Sequence, residues 1–531
     1  MTNLSDFQKN IISSVVKAES NVVVNALAGS GKTFTAILAV QAYMQAHPQA
    51  KVCMCMFNKS IQQETAEKMD KAFYGNDMVR KQIKVRTSHA LGMAALRFAV
   101  QKEYGNDMPT IVVENHHVQD LCTNVETYSA IIKQDSQNKG TFLGNAVHLF
   151  DKCRVNLIED NDIKGIERIA RHYNINVVAD ECNAVSKLLE TAYDFDMRSN
   201  YTDKSGKAYK SVIVCDFIDM LTFAAQHKEY CEKFNLVVVD ECQDFNICQH
   251  KIMHNSVKYG GKFLAIGDPN QAINGFAGAM NDSFDRFTKY RNVVTLPLSV
   301  NYRCGRNIIS LAQTIVPNIT AHDGACNGNV SYGGNIDNAH SGDIILSRKS
   351  APLVKSALHL LANKKYCYIV GGAELTKGLK GLIISSCGKS KQAMQQPTNI
   401  VISKVESYIK SVIDNLIKKG EIKPDEASEC KLVCELQDKL ECIKAIADNA
   451  NNQEQVIANL DNLASEGKSG NGIKLMTAHK SKGLEADNVY IIDYGSMPLA
   501  WKGQQEWEAQ QEQNLIYVAW TRAKQNLYLC N

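Results

Sequence analysis

Two short segments of this chain combine the residue types that hold a phosphate ester and cut it. The first is Asn25-Ala26-Leu27-Ala28-Gly29-Ser30-Gly31-Lys32-Thr33, followed by Phe34. Its glycines let backbone N–H groups close around an anion, and the helix that follows points its dipole at the same charge. Lys32 is spaced to reach the β and γ phosphates of ATP, and the Thr33 hydroxyl to ligate Mg²⁺. The strict pattern has glycine at position 26, where this chain has alanine. The second segment is Asp240-Glu241, which follows four apolar residues, Leu236-Val237-Val238-Val239. A strand of that kind presents two carboxylates at its end, one to hold Mg²⁺ and one to orient or deprotonate water. Val177-Val178-Ala179-Asp180-Glu181 is a near copy. Gln243 and Asp244 follow the later copy, which also precedes the next strand-loop signal, so Asp240 is preferred. Asp180 is expected near a helix N-cap.

Three further groups extend the chemistry. Gly267-Asp268-Pro269-Asn270-Gln271 ends another apolar run, and Gln271 is placed to sense the γ-phosphate. Alone, that segment reads as a turn. Arg303 and Arg522 lie far along the chain. A cation brought from a second domain stabilises charge on a transferred phosphoryl group. Taken singly, either arginine reads as half of a surface salt bridge.

These side chains need strands to present them. Asn21–Val24 and Lys51–Met56 read as buried strands, with helices after them over about Lys32–Ala46 and Ser60–Phe73. That βαβ pattern favours a parallel sheet. Leu236–Val239 and Phe263–Ile266 return to it. A second α/β unit opens near Leu298, with strands at Asp343–Leu346, Tyr366–Val370, Ile473–Met476 and Val489–Ile492. The expected fold class is α/β with two parallel-sheet domains, each carrying a mostly helical insertion. The first domain takes 1–90 and 213–297, with 91–212 inserted and Arg198–Lys210 a loop or hairpin. The second takes 298–389 and 471–531, with a reduced helical insertion at 390–470.

Composition narrows the class without deciding it. With 531 residues the chain needs several cores, and 45% hydrophobic with 22% charged residues fits globular domains. No apolar run reaches the roughly 18 residues that span a bilayer. No signal pattern opens the chain, so a cytosolic protein is expected. The net charge of +3 is too mild to announce a nucleic-acid binder, though a basic groove balanced elsewhere is compatible with it. The 17 cysteines include no CxxC pair, which argues against a zinc ribbon.

As an ordered set, the segments resemble the UvrD/Rep family of superfamily 1A DNA helicases. Several spellings are nearest to compact F-box-type DNA helicases and phage relatives. The resemblance runs through Asp6-Phe7-Gln8, Ala28–Thr33, Phe57–Ile61, Thr87-Ser88-His89, Asp216–Leu221 and Asp240–Asp244. It continues through Gly267–Gln271, Gly275–Ala279, Asn301-Tyr302-Arg303, Arg348, Gly371-Gly372, Thr477–Glu485 and Tyr517–Lys524. It covers both α/β halves and neither insertion.

The resemblance implies two RecA-like domains with ATP and Mg²⁺ in the cleft between them. Gln8 would read the adenine edge, Tyr302 would stack on the base and Glu485 would hold the ribose. Ala28, Gly29, Ser30, Gly31, Lys32, Thr33 and Phe34 would form the cradle. Lys32, Asp240, Glu241, Gln271, Arg303 and Arg522 would carry hydrolysis, with Thr33 and Asp240 on the metal. Asn58, Thr87, His89, Phe276, Arg348 and His479 are similar to positions lining a single-strand DNA channel. The implied activity is an ATP-dependent DNA helicase and single-strand translocase, 3′→5′, acting on single-stranded and tailed duplex DNA as a monomer. Replication or recombination proteins are the implied partners. The implied location is the cytoplasm, near the nucleoid or in a phage-infected host, or the nucleus if the source is eukaryotic. The alternative is an ATP-gated DNA-binding switch or clamp with little processive unwinding. Two departures bear on that choice: Asn274, Phe276 and Ala277 replace the Tyr, Trp and Arg of many relatives, and the second insertion is short.

Overall fold

The computed structural model describes residues 4–531 apart from 18, 115–138, 176–178, 192–195, 204, 276–277, 279–281, 419, 421 and 466–471. The chain forms two compact units, Met1–Ala26 with Gly31–Leu298, and Leu27–Ser30 with Ser299–Asn531.

In the first unit the strands are β1 (Asn21–Ala26), β2 (Val52–Met56), β3 (Ile83–Thr87), β4 (Thr110–Val113), β5 (Asp196–Thr202), β6 (Ala208–Cys215), β7 (Phe234–Asp240), β8 (Val257–Gly267) and β9 (Val293–Leu298). Six of them make an all-parallel sheet in the order β3-β2-β7-β8-β1-β9. Successive strand residues point to opposite faces. Val22, Val24, Met54, Met56 and Val238 therefore pack with Ile11, Ile37 and Val40, while Val23, Val237 and Val239 pack with Leu91, Phe245 and Phe287. Cys53 and Cys55 share the second of these cores.

A smaller sheet, ordered β4-β6-β5, stands apart from the main one. Its β5 and β6 form an antiparallel hairpin across Arg198–Lys210. The helices Lys139–Val155, Ile163–His172 and Ala179–Thr191 bury their own core around Leu149, Phe150, Ile166, Val185 and Leu188. The near copy of the carboxylate segment falls here. A helix starts at Ala179, and Val177-Val178 lie outside the described residues.

The second unit has β10 (Val300–Asn301), β11 (Thr320–Ala321), β12 (Asn329–Tyr332), β13 (Ile344–Ser347), β14 (Cys367–Ile369), β15 (Ile473–Thr477), β16 (Ala486–Ile491) and β17 (Ala523–Leu529). Its main sheet is again six-stranded and all parallel, in the order β12-β17-β16-β13-β15-β14. The helices Thr398–Lys418, Lys431–Ala447 and Gln453–Ser465 do not build a separate core. Val401, Val405, Ile443, Val456 and Leu460 join Ile345, Leu353 and Leu475 of the α/β framework in one cluster. Among the described residues, no helix is long and apolar enough to cross a membrane.

Candidate functional site

In the first unit the chemistry gathers at the carboxyl ends of β7, β8 and β1, which are neighbours in the sheet. Open α/β sheets bind ligands at that edge. Gly31 turns the chain at φ +81°, and the helix Lys32–Ala46 begins with no side-chain cap on its first N–H groups. Thr33 Oγ1 donates to Asp240 Oδ2 at 2.7 Å. Lys32 Nζ stands 3.3 Å from Glu241 Oε1. Glu241 itself is held at φ +55°. Its second oxygen accepts from Gln243 Nε2 at 2.5 Å. Gln243 Oε1 in turn receives the Asp268 N–H at 3.0 Å, and Gln271 Nε2 donates to Asp268 Oδ2 at 2.7 Å.

Electrostatics bind this group together. Burial alone would lower the pKa of Lys32, but the Glu241, Asp268 and Asp240 carboxylates outweigh it and raise it. Burial, then repulsion from Glu241, pushes Asp240 up to about 6 despite the Thr33 hydroxyl and Lys32. Burial also raises Asp268, against the pull of Lys32. Three carboxylates thus surround one ammonium, and a divalent cation would balance the excess. The uncapped helix start, the Thr33–Asp240 pair and this surplus fit a magnesium nucleotide. Gln8 is buried, with Ser5 N–H donating to its Oε1 at 3.0 Å and its Nε2 donating to Thr35 Oγ1 at 3.3 Å. Phe34 is exposed beside the cradle.

The single-strand candidates of this unit follow the ends of β2 and β3. Asn58 caps the helix Lys59–Ala72 through Ile61 N–H, and Thr87 caps the helix Ser88–Tyr104 through Ala90 N–H. Each side-chain oxygen therefore already accepts one bond, while the Asn58 amide and the Thr87 hydroxyl keep donors for a phosphate or base. His89 is held below its usual pKa by burial. Phe276 and Ala277 lie outside the described residues. An aromatic that the sequence analysis did not assign lies beside His89. Phe217 is 51% exposed and meets the His89 ring edge-on, with centroids 5.7 Å apart.

The second unit keeps its candidates on two edges of one sheet. At the start of β16 and β17 stand Glu485 and Arg522. Arg303 Nε donates to Glu485 Oε2 at 2.5 Å, and Lys524 Nζ lies 2.9 Å from Glu485 Oε1. Burial would raise Glu485, but Arg303 and Lys524 hold it below its usual range. Arg522 is 2% exposed and is no surface cation. Its guanidinium donates to the carbonyls of Val518 at 2.8 Å and Leu484 at 3.3 Å. Tyr302 is half-exposed, its ring tilted against His322 at 4.8 Å. Leu27–Ser30 groups with this unit: Ala28 N–H donates to Tyr517 Oη at 3.0 Å, Asn301 Nδ2 to the Ala28 carbonyl at 2.7 Å, and Tyr302 N–H to the Gly29 carbonyl at 2.9 Å. Gly29 has φ +65°, and a Cβ there would sit 2.4 Å from Asn301 Nδ2, so only glycine fits. Ser30 Oγ is buried without a hydrogen-bond partner, as a phosphate-facing hydroxyl would be.

Arg348 and His479 follow β13 and β15, on the opposite edge. Both line a cavity of about 1030 Å³ together with Thr477, Lys431 and Trp501. Arg348 is gripped by Glu512 through Nε at 2.9 Å and Nη2 at 2.7 Å, and Glu512 also accepts the Leu499 N–H. Burial, with Arg348 nearby, pushes His479 down to about 4, so it is neutral at pH 7. Asp268, Phe217 and Glu512 are site residues to which the sequence analysis gave no role, and Gln243 served there only to choose between the two carboxylate segments. For Asp268 the signal was present, a carboxylate directly after an apolar run.

Comparison with known families gives two matches. The UvrD/REP helicase N-terminal domain matches residues 4–291, and the UvrD-like helicase C-terminal domain matches residues 376–531. Among curated proteins, the chain is 25% identical to F-box DNA helicase protein 1 of Schizosaccharomyces pombe over 56% of this chain and 34% of that protein. It is 22% identical to YjcD of Bacillus subtilis over 98% of this chain and 78% of that one. It is 34% identical to DNA helicase II of Escherichia coli over 17% of this chain and 13% of that protein. The chain thus spans about a third of the F-box protein's length.

Proposed function

Since the chain belongs to the UvrD/REP helicase family, we propose that it is an ATP-driven motor on DNA, a single-strand translocase that unwinds duplex from a 3′ tail. The observation that carries this reading is the cluster at the ends of β1, β7 and β8, where Thr33 meets Asp240 and Lys32 meets Glu241. In this reading the N–H groups opening the helix Lys32–Ala46, with Lys32, bind the phosphates. Thr33 and Asp240 hold Mg²⁺, which when bound would draw charge from the transferred phosphoryl group. Glu241 orients water and takes its proton, while Gln243 and Gln271, both tied to Asp268, keep the polar wall in place. Arg303, Glu485, Tyr302 and Arg522 are assigned to the same nucleotide on the family resemblance. The single strand is assigned to Asn58, Thr87, His89 and Phe217 of the first unit and to Arg348 and His479 of the second.

One observation favours a second reading. Arg303 is paired with Glu485, which Lys524 also holds, so a nucleotide that needs both Arg303 and Glu485 must first part them. An ATP-gated clamp with little unwinding would use that exchange as its switch. The test is ATP turnover with and without single-stranded DNA, beside strand separation on duplexes with 3′ or 5′ tails. DNA-stimulated turnover with unwinding only from the 3′ tail is expected. Stimulated turnover without strand separation would select the clamp, and turnover indifferent to DNA would refute both.

Phe217 gives a more local prediction. An exposed ring that stacks a base contributes about 1–3 kcal/mol, so Phe217→Ala should weaken single-strand affinity roughly five- to 150-fold. Fluorescence anisotropy with oligonucleotides of different sequence should show the same loss for each. Unchanged affinity would remove Phe217 from the track.

A further inference from the structure

Two buried residues outside the nucleotide cluster pin the turn beside Glu241. At φ +55°, Glu241 sits in the left-handed region, which costs a non-glycine residue and persists only where the surroundings hold it. The turn Cys242–Asp244 follows at once, and Gln243 within it donates to the Glu241 carboxylate. The end of β8 holds this turn: Asp268 N–H donates to Gln243 Oε1 at 3.0 Å, and a Cβ at Gly267 would sit 2.6 Å from Cys242 Sγ. Ser283 holds it separately. This residue starts the helix Ser283–Thr288 and donates its hydroxyl to the Cys242 carbonyl at 2.7 Å. Next to Ser283 stands His250 of the helix Ile247–Ser256, with Nε2 2.9 Å from Ser283 Oγ.

Hydrogen counting fixes the direction of this chain. A carbonyl only accepts, so the single hydroxyl hydrogen of Ser283 is spent on Cys242. Ser283 Oγ can then only accept from His250, which requires the ring to carry its hydrogen on Nε2 and to leave Nδ1 bare. The surroundings of Nδ1 agree. It is buried without a hydrogen-bond partner, and the ring lies among those of Phe287, centroids 4.2 Å apart, and Phe245, at 6.1 Å. Burial, then the nearby Arg286, pushes His250 down to about 4, so the ring is neutral at pH 7. Ser283 is 0% and His250 4% exposed. Burying two polar side chains costs more than apolar packing unless their bonds are made. Here the bonds end on the carbonyl of the residue that follows Glu241.

We propose that His250 and Ser283 are positioning residues for ATP hydrolysis, which through the Cys242 carbonyl hold Glu241 where it can take a proton from water. They act through the main chain, not on the nucleotide. The inference rests on the reading of Glu241 as the general base. Without the Ser283 hydroxyl, the Cys242 carbonyl keeps Phe245 N–H, a donor at 3.3 Å within its own turn, which ties it to nothing outside. Glu241 is then free to relax from its left-handed backbone, and Gln243 moves with it. A shift of about 1 Å in a reacting group is enough to cost about 10²-fold in rate.

The test is ATP turnover by the full chain with single-stranded DNA, kcat and KM separated, in single variants and in the Glu241→Gln background. Ser283→Ala and His250→Leu should each lower kcat about ten- to a hundredfold, with KM for ATP unchanged within about twofold. His250→Gln keeps an N–H donor for Ser283 and should recover most of the loss. In the Glu241→Gln background, Ser283→Ala should cost less than about twofold more, because the group it positions is already gone. Losses that multiply in the double variant, or a KM that rises as kcat falls, would reduce the pair to support of the fold and overturn the proposal. So would His250→Gln no better than His250→Leu, or full kcat in Ser283→Ala beside an impaired Glu241→Gln. If Glu241→Gln itself turns over like the parent, the reading of Glu241 fails, and the pair has no base to position.

Discussion

Glu241→Gln should cut ATP turnover by about 10²–10⁴-fold, the range for loss of a positioned general base, while nucleotide still binds. The substitution keeps the shape of the side chain. The amide oxygen can still accept from Gln243 Nε2, which Glu241 holds at 2.5 Å. The backbone at φ +55° is no harder for glutamine than for glutamate. Lys32 keeps two of its three carboxylates, Asp268 and Asp240, and so remains charged. Asp240, pushed up to about 6 partly by Glu241, should fall toward its ordinary range once that neighbour is neutral. The metal pair formed with Thr33 is therefore not weakened. Lys32→Ala is the contrast, because it removes the cation facing the phosphates and should lose binding together with turnover. Phosphate release, run beside fluorescent-nucleotide binding, separates the two. Matching losses of affinity in both variants would reduce Glu241 to a partner of Lys32, and undiminished turnover would remove it from the chemistry.

What the sequence disclosed follows from how local each signal was. The cradle, Asp240 and Gln271 sit within a few residues of apolar runs, so strand, loop and side chain are read together. The strands β3 and β17 were not singled out, and their residues show why. Ile83-Lys84-Val85-Arg86 and Ala523-Lys524-Gln525-Asn526 mix charge into half-covered strands at or next to the edges of their sheets. The contacts made through tertiary structure were invisible. Gln243 meets Asp268 across 25 residues, and Glu512 meets Arg348 across 164. Arg522 misleads for another reason: a lone arginine reads as exposed, whereas the carbonyls of Val518 and Leu484 hold it in the interior.

Arg154 is the most demanding residue outside the nucleotide cluster, and Arg154→Met should cost the first unit about 3–5 kcal/mol, the range for breaking a buried ion pair from one side. Its guanidinium is 0% exposed and meets Asp151 and Asp216 at 2.7 Å and Asp219 at 2.6 Å. Asp216 and Asp219 form the capping box that starts the helix Phe217–Gln226, so the arginine fixes the turn presenting Phe217. Burial pushes both carboxyls up and Arg154 pulls both down; Asp216 ends below its usual value and Asp219 reaches about 7. The pair thus holds a proton that the unfolded chain releases near pH 4. A folded state that binds more protons than the unfolded one loses stability as pH rises through the folded pKa. Removing the cation raises the pair's hold on that proton, so the penalty should be smallest near pH 5 and grow toward pH 8. Denaturant melts of the parent and Arg154→Met at both pH values read the difference. Asp219→Asn in the variant background should recover part of the loss and flatten its pH dependence. A penalty equal at pH 5 and pH 8 would mean that the methionine fails by packing alone, and that the three carboxylates do not need the charge.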